Sequence, residues 1–122
     1  MLQRIGQIMV TAHDLERAVR FYRETLGMRF LFQVPKMAFF DCSGVRVMLG
    51  VPDKPEFDHP ASIVYYRVDD IEGEHAALTG RGVTFETPTH VVARLEAFTL
   101  WIAFFRDTEG NLLALMSEMP RS

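Results

Sequence analysis

Two stretches, Gln7-Ile8-Met9-Val10-Thr11-Ala12-His13-Asp14-Leu15-Glu16 and Ile63-Val64-Tyr65-Tyr66-Arg67-Val68-Asp69-Asp70-Ile71-Glu72, carry one pattern. Each is a run of strand-forming residues closing on an aspartate able to open a helix. The second begins 56 residues after the first (63 minus 7). Downstream, Ala38-Phe39-Phe40 returns as Ala103-Phe104-Phe105, and Gly44-Val45-Arg46-Val47-Met48-Leu49 as Gly110-Asn111-Leu112-Leu113-Ala114-Leu115, at offsets of 65 and 66. The chain is therefore written twice, which decides how everything else in it is read. The growing offset predicts a longer connection in the second copy, most simply between Thr87 and Phe98.

Each copy reads locally as β-α-β-β-β. Asp14 caps a helix whose Leu15, Ala18, Val19, Tyr22 and Leu26 share one face, and Gly27 stops it after about three turns. Asp70 caps the second helix, with Ile71, Glu74, His75 and Leu78 on a less apolar face, ending at Thr79-Gly80-Arg81-Gly82. Strands are expected at Met28 to Phe32, Met37 to Asp41 and Val45 to Leu49, then at Val83 to Thr87, Leu100 to Arg106 and Asn111 to Ser117. Residues 1–122 are thus read as one α+β domain of two modules, about 1–51 and 61–118, joined by the polar, proline-bearing linker 52–60. Half-sheets apolar on both faces call for pairing, within one chain or between two.

Composition narrows the function classes. The chain is 48% hydrophobic and 24% charged, as expected of an ordinary globular domain. Thirteen basic against sixteen acidic side chains, spread along the sequence, leave no electrostatic footprint for a phosphate backbone, so no nucleic-acid partner is expected. The apolar run Phe98 to Phe105 is far shorter than the ~20 residues of a membrane span, and the first residues lack a signal-peptide core. A soluble, cytoplasmic protein is expected. The single cysteine, Cys42, rules out an internal disulfide and a multi-cysteine zinc site, and its strand-to-turn setting reads as an inert thiol.

The opening strand, Asp14-Leu15-Glu16-Arg17-Ala18, Phe21-Tyr22, Leu26-Gly27-Met28 and the closing Arg106-Asp107-Thr108-Glu109-Gly110-Asn111-Leu112-Leu113 together resemble the vicinal oxygen chelate superfamily. This family includes glyoxalase I, bleomycin-resistance proteins and extradiol dioxygenases. The resemblance covers nearly the full chain. It implies paired βαβββ modules forming a curved mixed sheet whose concave side holds a ligand, commonly in a homodimer. Enzymes of the family usually hold a divalent metal on side chains of the first and last strands of each module. Carried over, those positions fall on Gln7, Met48, Ile63 and Ala114. Only Gln7 offers a donor, a neutral amide oxygen, whereas a divalent cation needs several anionic or imidazole ligands. No metal ligand and no cofactor are expected, and His13, His59, His75 and His90 show no spacing that would build another metal site.

If Gln7 faces the cup, strand alternation brings Met9 and Thr11 with it, together with Arg46, Met48, Ile63, Tyr65, Arg67, Leu112, Ala114 and Met116. Gln7, Met9, Arg46, Met48, Ile63, Tyr65 and Ala114 are the expected ligand-binding residues, with Trp101 reaching in from the long second-module connection. Such a lining suits a small apolar or aromatic molecule held by one or two hydrogen bonds, and its arginines disfavour a large cationic drug. His90, from the same connection, is the candidate acid or base. Glu118 reads as a solvated strand end, and Asp107-Thr108-Glu109-Gly110-Asn111 as a turn rather than a site. Three functions follow: a metal-independent small-molecule binder, a metal-independent lyase or isomerase using Gln7 and His90, or a structural dimer with a filled cup. A divalent-metal enzyme with non-standard ligands is the remaining alternative.

Overall fold

The computed structural model describes residues 1–120 and divides into two compact units, residues 1–61 with 108–111, and residues 62–107 with the chain from 112 onward. The α+β class and the repeated βαβββ unit are both present. In the first unit β1 (Gln7–Thr11) leads into α1 (Leu15–Arg20), followed by β2 (Arg29–Val34), β3 (Met37–Cys42) and β4 (Val45–Gly50). The second unit runs β5 (Val64–Arg67), α2 (Ile71–Gly80), β6 (His90–Arg94), β7 (Phe98–Arg106) and β8 (Leu112–Pro120). The sheet orders are β1-β4-β3-β2 and β5-β8-β7-β6, with the first strand of each parallel to the last and the rest antiparallel.

Both helices start as their aspartates dictate. Asp14 accepts from the Arg17 N–H and Asp70 from the Gly73 N–H, each at 3.1 Å. Helix α1 widens into a five-residue π-turn, Phe21–Thr25, in which Leu26 N–H bonds Phe21 O, before Gly27 turns the chain at φ +70°. The π-turn sets the neighbouring Phe21 and Tyr22 rings edge to face at 5.7 Å, both buried.

The helix-facing side of the first sheet is the core: Val10, Ala38, Phe40, Val47 and Leu49 are buried with Ala18 and Tyr22. Phe40 lies 5.5 Å from Phe30 and 6.1 Å from Tyr22, ring to ring. Phe40→Ala is therefore expected to cost roughly 3–5 kcal/mol of stability in urea unfolding, the range for deleting a fully buried phenylalanine. In the second unit Ile71, Leu78 and Val83 are buried with Phe105, Leu113 and Leu115.

The second copy departs from the expected strands in one place. Val83 to Thr87 is not a strand; Phe85 makes one isolated bridge to Phe105, and the outer strand is His90–Arg94. The Phe85 ring instead stacks on His75 at 4.0 Å and packs on Phe105 at 5.2 Å. Pro88, without an N–H, could not have continued a ladder. The extra length of this copy therefore sits between α2 and β6. Each outer strand carries a bulge, between Phe30 and Phe32 in β2 and between Val91 and Ala93 in β6.

Candidate ligand-binding site

Alternation along β1, β3 and β4 sends one set of side chains to the helix and the other to the open face of the first sheet. Gln7 pairs with Arg46 in register, Met9 with Met48, Phe39 with Met48, and Met37 with Gly50. Arg46 Nε donates to Gln7 Oε1 at 2.7 Å, and Gln7 Nε2 lies 3.7 Å from the Met48 sulfur. The Arg46 guanidinium lies over Phe39 at 5.6 Å, and Phe39 stacks on Phe32 at 4.4 Å. The structure thus brings together Gln7, Met9, Arg46 and Met48 on one face.

At one end of that face is a hollow of about 320 Å³, lined by Met9, Met37, Met48, Gly50 and Phe57, with Lys36 and Asp53 among its other lining residues. Its size falls at the small end of ligand pockets. Gly50 keeps it open: a Cβ there would stand 2.8 Å from Met9 Cε and 3.4 Å from Met48 Cε. Met37, Gly50, Lys36 and Phe57 were not singled out from the sequence. Met37 shares the open-face parity across β3 and β4, a signal available once the register is known; Phe57 belongs to a single 3₁₀ turn, Pro55–Phe57, inside the linker.

The side chains at the four positions to which the resemblance carries the family's metal ligands are a poor donor set for a divalent cation. The Gln7 oxygen already faces a guanidinium, Met48 presents a thioether, Ile63 is a half-exposed aliphatic, and Ala114 is a buried methyl. A fixed positive charge beside a lone amide oxygen repels a divalent ion rather than replacing its water. Among the described residues no group of three or more His, Cys, Asp or Glu side chains is placed to hold a metal.

The second sheet has its own open face. Tyr65 pairs with Ala114, and Ala114 with Phe104; the Tyr65 and Phe104 rings meet edge to face at 6.0 Å, with the Ala114 methyl fully buried. His90 opens β6 rather than hanging from a loop, with its ring 6.4 Å from Phe104 and Nδ1 2.8 Å from Pro88 O. In that contact Nδ1 carries a proton and donates it to the carbonyl. On the same strand parity, Arg67 lies 3.8 Å from Glu118. Trp101 is not brought to this set. It pairs with Ser117, one residue out of phase with Ile102 and Phe104, so alternation turns it to the α2 side with Ala103 and Phe105. Ile63 precedes β5 and is exposed.

A polar cluster in the first unit went unseen in the sequence. The Glu109 side chain, 1% exposed, accepts the backbone N–H groups of His13 and Asp14 at 2.8 Å and the Arg17 Nε at 2.8 Å. Burial pushes its pKa up, but the Arg17 hydrogen bond and the two backbone donors outweigh this and hold the carboxyl below its ordinary value. Asn111 donates to Thr11 O at 2.8 Å, Thr11 Oγ1 donates to His59 O at 2.9 Å, and His13 Nε2 lies 2.7 Å from Asp58. The turn 108–111 and the linker are thereby tied to the end of β1. Residues more than ninety positions apart meet here, and no local pattern announces it. Cys42 fits the expectation of an unreactive thiol: burial, then the charge of Asp41, pushes its pKa up.

Two successive β-α-β-β-β modules, each with a parallel first and last strand and an open sheet face, define a vicinal oxygen chelate type of protein. A family model, Glyoxalase/Bleomycin resistance protein/Dioxygenase superfamily, matches residues 4–115, and the chain belongs to that superfamily. A glyoxylase-like domain-containing protein of Didymella fabae is 32% identical over 121 aligned residues, with 91% of each chain covered. A superfamily member from Sphaerobacter thermophilus has a TM-score of 0.77 at 26% identity, covering 96% of this chain and 98% of the other. Lactoylglutathione lyase from Agrobacterium tumefaciens has a TM-score of 0.74 at 18% identity, covering 96% and 95%, and shares the fold.

Proposed function

We propose that this protein binds a small apolar or aromatic molecule in the hollow of its first sheet, without a divalent metal, and acts as a cytoplasmic homodimer. The methionine-lined hollow that Gly50 keeps open carries the reading. Thioethers adapt to irregular ligand shapes and make favourable contacts with aromatic rings. Gln7 and Arg46 stand on the same face as the polar groups able to orient a bound molecule. Among the described residues no helix is long and apolar enough to cross a membrane. Exposed Met9, Phe32 and Met37 on the first sheet and Tyr65 on the second leave apolar surface for a second copy to cover.

The test is calorimetric titration with 2-phenylethanol in the presence of EDTA. Saturable binding with unchanged affinity after addition of Zn²⁺ or Mn²⁺ is the expected result. Dependence of binding on a stoichiometric metal ion would overturn it.

The hydrogen bond from Nδ1 to Pro88 O, which orients the His90 ring, favours a second reading, a proton transfer at Nε2 without metal. In that case His90→Gln abolishes turnover of a substrate whose binding survives; an unchanged rate removes His90 from the chemistry.

A further inference from the structure

The β2–β3 hairpin turns through Pro35 and Lys36, and Lys36 has φ +67°. Proline before a residue of positive φ is the pattern of a type II turn, whose third position favours glycine or asparagine because a Cβ is strained there. A lysine in that place keeps a side chain at a conformational cost, and such strain collects where a side chain has a use. Its backbone is fixed to the hollow: Val51 N–H donates to Lys36 O at 2.9 Å, and both residues line the cavity.

Among the described residues Lys36 has no carboxylate within ion-pair distance. Asp53, the acidic residue in the lining, likewise has no cationic partner, but its neighbour Lys54 lies over the Phe57 ring with Nζ at 5.7 Å from the centroid. Arg46 adds another positive charge on the same sheet face. The lining itself carries one cation, Lys36, and one anion, Asp53, with Lys54 and Arg46 outside it. The positive-φ turn that holds Lys36 at the hollow, pinned by Val51 N–H on its carbonyl, singles out the cation as the group that orients a ligand, and a negatively charged ligand group is what it attracts. Resting on the binding function proposed above, we infer that the hollow recognises a small aromatic carboxylate, with the ring among the thioethers of Met9, Met37 and Met48 and the carboxylate at Lys36.

Calorimetric titration of the full chain with phenylacetate, 2-phenylethanol and 2-phenylethylamine at low ionic strength tests this. Phenylacetate is expected to bind about fivefold more tightly than 2-phenylethanol, the value of one partly exposed charge pair. Lys36→Gln should bring that ratio to about one, Lys36→Arg should keep it, and Arg20→Gln, the same charge change on α1, should leave it intact. Lys36→Gly should also lose the preference while melting above the wild type, since glycine relieves the turn. Equal binding of phenylacetate and 2-phenylethanol overturns the role of Lys36 and leaves the hollow as a neutral aromatic site. A preference for 2-phenylethylamine overturns it in favour of Asp53. Binding of none of the three defeats the hollow itself, and with it the proposed function.

Discussion

Replacing Glu109 with alanine is expected to lower the stability of the protein by about 3 kcal/mol in urea or thermal unfolding, far more than a surface ion pair yields. The side chain is buried, and its two oxygens accept two backbone N–H groups and the Arg17 guanidinium. Removing it strips the donors at the start of α1 of their acceptor. Glu109→Gln keeps the shape and one acceptor oxygen but loses the charge, so an intermediate loss is expected. The pH dependence has a definite sign. The folded pKa lies below the ordinary value of 4.5, so this stabilisation is complete above pH 4.5 and is lost as pH falls through the lower folded value. The alanine variant should lack that part of the acid transition.

Gly50→Val is expected to leave the fold nearly as stable as the wild type while weakening 2-phenylethanol binding roughly a hundredfold. Gly50 has no positive φ, and valine suits a strand, so the backbone tolerates it. The new side chain meets the flexible tips of Met9 and Met48, which must move into the hollow. A phenyl ring that loses about 100 Å² of apolar contact surface forfeits about 2.5 kcal/mol, close to two orders of magnitude in affinity. Unfolding and binding measured on the same preparation separate the two effects. A large loss of stability, or unchanged binding, would contradict the assignment of the hollow.

Much of the fold was legible because it is written in local patterns used twice. The strands that close on Asp14 and Asp70, the apolar helix faces and the offset between copies each report a backbone preference that neighbouring residues reinforce. The segment from Val83 to Thr87 misled because its alternation of apolar and polar residues fits a strand, whereas its backbone meets β7 only through the Phe85–Phe105 bridge and the Glu86 N–H on Phe104 O before Pro88 interrupts the ladder. His90 then begins the true outer strand, one proline-broken loop later.

The candidate site was legible by parity alone. Knowing that Gln7 faces outward from the helix is enough to bring Met9, Arg46 and Met48 with it, because β1 and β4 run parallel in register. Trp101 fell on the opposite parity, which the boundaries of β7 decide. What escaped the sequence depends on contacts between distant residues: Glu109 under the N-terminus of α1, Phe57 of the linker beside the methionines, and Lys36 held by Val51. Turn chemistry did contain a hint, since lysine after Pro35 in a two-residue hairpin is a strained choice.

The most direct test of the binding function uses the seven methionines as reporters. With the methyl groups labelled with carbon-13, titration of 2-phenylethanol in EDTA should shift the resonances of Met9, Met37 and Met48 together, in fast exchange and to a common saturation, while Met1, Met28, Met116 and Met119 stay in place. Shifts confined to Met116 and Met119, or no shift at Met9, Met37 and Met48 until a divalent ion is added, would contradict the account.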